Sequence, residues 1–60
     1  MDVSKLTAGT VYVSIHDVPY IILKLVDQTV TARCERGNRN NSFEIDLARF
    51  AAFMKSELLN

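Results

Sequence analysis

The stretch Ser42-Phe43-Glu44-Ile45-Asp46-Leu47-Ala48-Arg49-Phe50-Ala51-Ala52-Phe53-Met54 decides the fold, because its hydrophobic period changes partway along. Phe43, Ile45 and Leu47 alternate with Glu44 and Asp46, the period of two expected of a strand with one buried face. From Leu47 onward the apolar positions Leu47, Phe50, Ala51, Met54 and Leu58 fall along one stripe of a helix of about 3.6 residues per turn. Asp46 stands at the junction, and its carboxylate suits an N-cap, where it accepts from the first unpaired helical amides. The pattern predicts a strand over 42–47 and a helix over 48–58 that ends near Leu59 and buries Phe50 and Met54.

Toward the N-terminus, three more strand-like runs precede this one. Thr29 to Cys34 carries β-branched residues suited to a pleated surface, with Val30, Ala32 and Cys34 facing in and Arg33 facing out. Tyr20 to Val26 is apolar on both faces, Ile21, Leu23 and Leu25 on one and Tyr20, Ile22 and Val26 on the other, so its second face calls for a cover or a partner. Val11, Val13 and Ile15 alternate with Tyr12, Ser14 and His16. His16-Asp17-Val18-Pro19 reads as a turn in which the aspartate folds onto nearby amides, and Asp27-Gln28 as a tight turn lacking the usual glycine. Residues 1–9 read as a lead-in, and 10–60 as a single β-β-β-β-α domain. The fold class is α+β: a four-stranded antiparallel meander, either an open sheet or a small partly closed barrel, with one C-terminal helix packed on it.

Sixty residues with 48% apolar content fold as one domain with a marginal core, which makes a homodimer an attractive way to gain burial. Seven basic residues balance seven acidic ones, so no global field draws the chain to nucleic acid or to anionic lipid. A single cysteine, Cys34, forms no internal disulfide, and one histidine with one cysteine makes no four-ligand zinc site. Together with the lack of a leader-like N-terminus or a membrane-length apolar run, this predicts a cytoplasmic protein with no membrane partner.

Catalysis needs a nucleophile with its base, a carboxylate pair, a metal or a cofactor loop, and the sequence offers none, so neither an enzyme nor a cofactor is expected. His16 and Asp17 are adjacent at a turn and are not aligned as base and orienter. Cys34, between Arg33 and Arg36, could be an activated thiol, but its inward position suits a small core residue better. Gly9 and Gly37 are far apart and neither opens a helix, which excludes a glycine-rich phosphate loop.

The segment Arg33-Cys34-Glu35-Arg36-Gly37-Asn38-Arg39-Asn40-Asn41 breaks the charge balance: three arginines against one glutamate leave it at +2, while residues 1–32 and 42–60 each carry −1. Arginine forks fit phosphates and asparagine amides reach base edges, so this loop between strands three and four is the candidate nucleic-acid site, through Arg33, Arg36, Asn38, Arg39 and Asn40. Tyr12 and Tyr20 would add base-stacking surface if they shared a face with Arg33. The alternative is a protein-interaction or adaptor module that self-associates through Tyr20, Ile22, Phe53 and Leu59. On either reading the chain works by binding.

The run Phe43-Glu44-Ile45-Asp46-Leu47 leading into Phe50 and Met54 resembles the last strand and helix of positive-cofactor-type single-stranded-DNA-binding proteins. That resemblance implies four strands and a helix through which two copies pair. It covers about a third of the chain and rests on hydrophobic spacing, with lower basic content and shorter strands here. The order of elements is also similar to small chromo-like and Tudor-like barrels, whose aromatic cages hold methylated lysine. Tyr12 and Tyr20 are the tyrosines that stand on strands to build such a cage.

Overall fold

The structure, a computed structural model, describes residues 1–36 and 41–58. Strands β1 (Val11–Ser14), β2 (Pro19–Val26), β3 (Thr29–Cys34) and β4 (Ser42–Asp46) form the expected antiparallel meander. Helix α1 (Leu47–Phe53) follows, and then a fifth strand, β5 (Met54–Glu57), which pairs antiparallel with β1. The sheet order is β4-β3-β2-β1-β5, so the sheet is open and β4 and β5 lie at opposite edges. No helix among the described residues is long and apolar enough to cross a membrane.

The fifth strand corrects the helix expected over 48–58. The apolar stripe does continue to Met54, which is 2% exposed, but the backbone there is already extended, with φ −90° and ψ 140°. A short helix is marginal by itself. Continuing it would leave β1 as an unpaired edge of the sheet. Adopting strand geometry instead lets residues 54–57 complete the ladder with Tyr12, Val13 and Ser14, and the amide of Ile15 donates to the carbonyl of Phe53 at 2.9 Å. Seven helical residues rise only about 10 Å, while four flat inter-strand spacings from β4 to β5 measure about 19 Å. The sheet must therefore curl around the helix for the connection to close, in keeping with strand twist.

The core lies between the concave face of the sheet and α1. It consists of Leu6, Tyr12, Ile22, Val30, Ala32, Phe50, Ala51 and Met54, none more than 3% exposed. Val30 and Ala32 face in as their alternation requires, Phe50 is buried, and the Asp46 carboxylate accepts from the Ala48 amide at 3.0 Å as an N-cap. In β1 the inward face is Tyr12 and Ser14, while Ile15 is 56% exposed. Tyr12 is tolerated there because its hydroxyl accepts from the Thr7 amide and donates to the Lys5 carbonyl, while its ring meets Phe50 edge-on at 6.2 Å. In β2 the inward residues are Tyr20 and Ile22. A register shift between Ile22 and Lys24 then turns Leu25 onto the core and leaves Leu23 42% exposed.

Residues 1–9 contribute to this core. Val3–Lys5 form a 3₁₀ turn capped by Asp2, Leu6 is buried, and the N-terminal ammonium donates to the Ala51 carbonyl at 2.9 Å. Gly9 takes φ +86°, a left-handed value glycine adopts without strain, and its amide donates to the Ile22 carbonyl. At the β2–β3 hairpin the same freedom falls to Asp27, at φ 54°, a residue type that tolerates this region better than most.

Candidate functional site

One end of the sheet gathers the β1–β2 turn, the start of β2, the end of β3, the start of β4 and the last turn of α1. Tyr20 stands at its centre. Its ring meets Phe43 edge-on at 5.8 Å and Phe53 at 5.9 Å, and Phe53 in turn lies 5.8 Å from His16. β3 separates β2 from β4, yet Tyr20 and Phe43 touch across it, because the intervening inward positions hold small residues: Cys34 opposite Tyr20 and Ala32 opposite Phe43. Tyr20 and Phe53 are half-buried, Phe43 is 39% exposed and His16 is exposed.

The β1–β2 turn is built around Ser14, which is completely buried. Its hydroxyl accepts from the amides of His16 and Val18, each at 3.2 Å, and its carbonyl accepts from the Asp17 amide. The amide-binding role expected of Asp17 thus belongs to Ser14. Asp17, at φ 63°, instead turns its carboxylate to the Lys55 ammonium on β5. That hydrogen bond and the charge of Lys55 hold the Asp17 carboxyl below the ordinary aspartate range, with smaller help from Arg36 and His16. The Glu35 amide donates to the Pro19 carbonyl at 2.9 Å, tying the start of the β3–β4 loop to β2.

Of the residues expected to meet nucleic acid, Arg33 is half-buried on the convex face, its Nε 3.9 Å from a Glu35 carboxylate oxygen. Arg36 is exposed, and its amide donates to Cys34 Sγ at 3.4 Å. Asn38, Arg39 and Asn40 lie outside the described residues. Tyr12 and Tyr20 do not share a face with Arg33: both point to the concave side, where Tyr12 is core.

Of the expected interface set of Tyr20, Ile22, Phe53 and Leu59, the three described residues, Tyr20, Ile22 and Phe53, do not form an outward patch. Ile22 is 0% exposed and belongs to the core, correcting its assignment to a free second face. Tyr20 and Phe53 belong to the ring cluster, and Leu59 lies outside the described residues. The second apolar face of β2 does exist, but it is the convex one: Ile21 and Leu23, flanked on β1 by Val11 and Val13, with exposed Ile15 just past the end of that strand. Phe43 and His16 are the cluster members that sequence reasoning did not pick out as functional. Alternation put Phe43 on the inward face, and its exposure follows only from a helix that stops at Phe53.

Among the described residues, no three histidine, cysteine, aspartate or glutamate side chains gather where they could hold a metal ion. A separate shallow depression of about 290 Å³ lies at the other end of the sheet, lined by Lys24, Val26, Asp27, Thr29, Thr31 and Glu44. No protein-family model, curated protein or solved structure matches this chain.

Proposed function

We propose that the chain is a small, non-catalytic, cytoplasmic module that binds single-stranded nucleic acid at the loop end of its sheet. The observation that carries this reading is the half-open ring cluster of Tyr20, Phe43, Phe53 and His16 at the same end as the arginine- and asparagine-bearing connection. Exposed rings stack unpaired bases whatever their identity, and guanidinium groups beside them neutralise the phosphates between those bases. In this reading Phe43 and His16 supply the stacking surfaces, Arg33, Arg36 and Arg39 the phosphate contacts, and Asn38 and Asn40 the contacts to sugar or base edges. The overall charge of zero makes the binding modest and local.

The test is fluorescence anisotropy with a labelled oligonucleotide at several salt concentrations. Three arginine contacts predict a logarithmic salt slope of about −2 for single strands. Arg36→Ala with Arg39→Ala should flatten that slope and remove most of the binding with the fold intact. Wild-type protein that binds neither DNA nor RNA in low salt would refute the reading.

A second reading is favoured by the convex face, where Ile15 is 56% and Leu23 42% exposed beside half-buried Val11, Val13 and Ile21. Here the chain is a protein-interaction module that pairs with its own copy, sheet on sheet. A standard interface of about 800 Å² per partner would cover about a fifth of the 4023 Å² surface, a large gain for so small a core. Sedimentation of wild type against Leu23→Asp decides it. A monomer at hundreds of micromolar excludes the dimer.

A further inference from the structure

The two edges of the sheet differ in how they are protected from a further strand. β5 has four residues, a register break against β1 near Lys55, and a lysine on the edge itself, all features by which sheets discourage edge pairing. β4 is also short but has neither the register break nor the lysine. Its five residues run in unbroken register with β3, from Arg33 opposite Ser42 to Thr29 opposite Asp46, without proline or lysine. No strand pairs with its outer side among the described residues. Its side chains also sort by chemistry: Glu44 stands exposed on the convex face and Asp46 is exposed with its carboxylate on the Ala48 amide at the start of α1, while Phe43 and Ile45 stand on the concave face, Phe43 at 39% exposure.

We propose that β4 accepts an added strand, an extended segment of another protein in which apolar residues alternate with lysine or arginine. Its backbone would continue the ladder, its basic side chains would face Glu44 and Asp46, and its apolar ones would extend the surface of Phe43 and Ile45. Charge selects this guest over a second copy of the chain. Antiparallel self-pairing centred on Glu44 sets that residue against itself, and centring on Ile45 sets Glu44 against Asp46, like charges that destabilise a ladder. The β5 strand of another copy offers only Lys55, which Asp17 already holds. The proposal does not rest on nucleic-acid binding at the loop end, with which it shares only Phe43.

The experiment titrates isotope-labelled full chain with a synthetic peptide of alternating valine and lysine. Amide shifts should concentrate on Ser42–Asp46 and its neighbour β3. A peptide with glutamate in place of lysine should bind about tenfold more weakly, and Glu44→Lys, at an exposed edge position, should remove that preference, since the new charge offsets that of Asp46. A peptide interrupted by proline should lose binding, because its backbone cannot complete the ladder. Equal affinity for the two charge patterns, a preference untouched by Glu44→Lys, shifts centred on Tyr20 and Arg36, or no binding of the lysine peptide at millimolar concentration would each overturn the proposal.

Discussion

The concave face of the sheet has a covered part and an open part, made from the same kinds of residue. Under α1 lie Ile22, Val30, Ala32 and Tyr12, closed by Phe50, Ala51 and Met54 and all but excluded from water. At the loop end lie Tyr20, Phe43 and Phe53 with His16 beside them, in ring contact but still reached by solvent. The difference is one of reach. A helix is about 10 Å across, whereas the eight residues of β2 extend about 26 Å. One helix lying across the sheet covers a band of that face and leaves the remainder to other groups. In this chain the remainder is aromatic, and it adjoins the arginine-bearing connection.

If the contrast is real, Phe50 and Phe43 must respond differently to the same truncation. Phe50→Ala removes a core ring and should cost about 3–5 kcal/mol, against a total stability of about 3–9 kcal/mol for a chain of this length. Thermal melting should show a midpoint lowered by about 12–40 °C. Phe43→Ala should cost about 1 kcal/mol or less, the worth of an aromatic pair at a partly exposed position, and should weaken oligonucleotide binding instead. Equal destabilisation by the two would erase the distinction between covered and open parts.

Ser14 sharpens the contrast, because it belongs to the buried face yet shapes the open end. Ser14→Ala strands the amides of His16 and Val18 and should cost about 1–3 kcal/mol in urea unfolding. The His16 ring resonances should also shift as the turn loosens. Asp46→Ala removes the cap of α1 and should cost about 1 kcal/mol, with little change at the ring cluster.

The smallest effect concerns the Asp17–Lys55 pair on the rim of the open end. The folded-state pKa of Asp17 is depressed, so its stabilising contribution is present above the ordinary aspartate pKa and is lost as pH falls through the lowered folded value. The melting temperature of Lys55→Gln should fall slightly below wild type at neutral pH, and the gap should close in strong acid. A gap that persists there would mean that Lys55 acts by packing and not by charge.

Much of the fold was legible because local patterns and tertiary demands agree. The β3 alternation placed Val30 and Ala32 inward, the change of period placed the strand-to-helix junction at Asp46, and Phe50 fell on the buried stripe. The β1 alternation was legible too, but not which of its faces lay inside. Tyr12 and Ser14 are the more polar set, and they are buried because Lys5, Thr7, His16 and Val18 offer hydrogen-bond partners that no periodicity reveals. In β2, continuous hydrophobicity hid the register shift beyond Ile22, so the exposed apolar face was assigned to Ile22 when it belongs to Ile21 and Leu23.

By itself, the sequence determined the number and order of the first four strands, the cap at Asp46 and the core positions Val30, Ala32, Phe50, Ala51 and Met54, since each depends on the spacing of side chains along one segment. Only the tertiary structure decided that Met54–Glu57 is a strand, because that choice turns on whether β1 finds a second partner. Likewise it alone brought Tyr20, Phe43, Phe53 and His16 together, since their contacts cross three separate elements and depend on the small residues Ala32 and Cys34 between them. Periodicity reports which way a side chain points; what meets it there is set by how far the covering helix extends and how tightly the sheet curls beneath it.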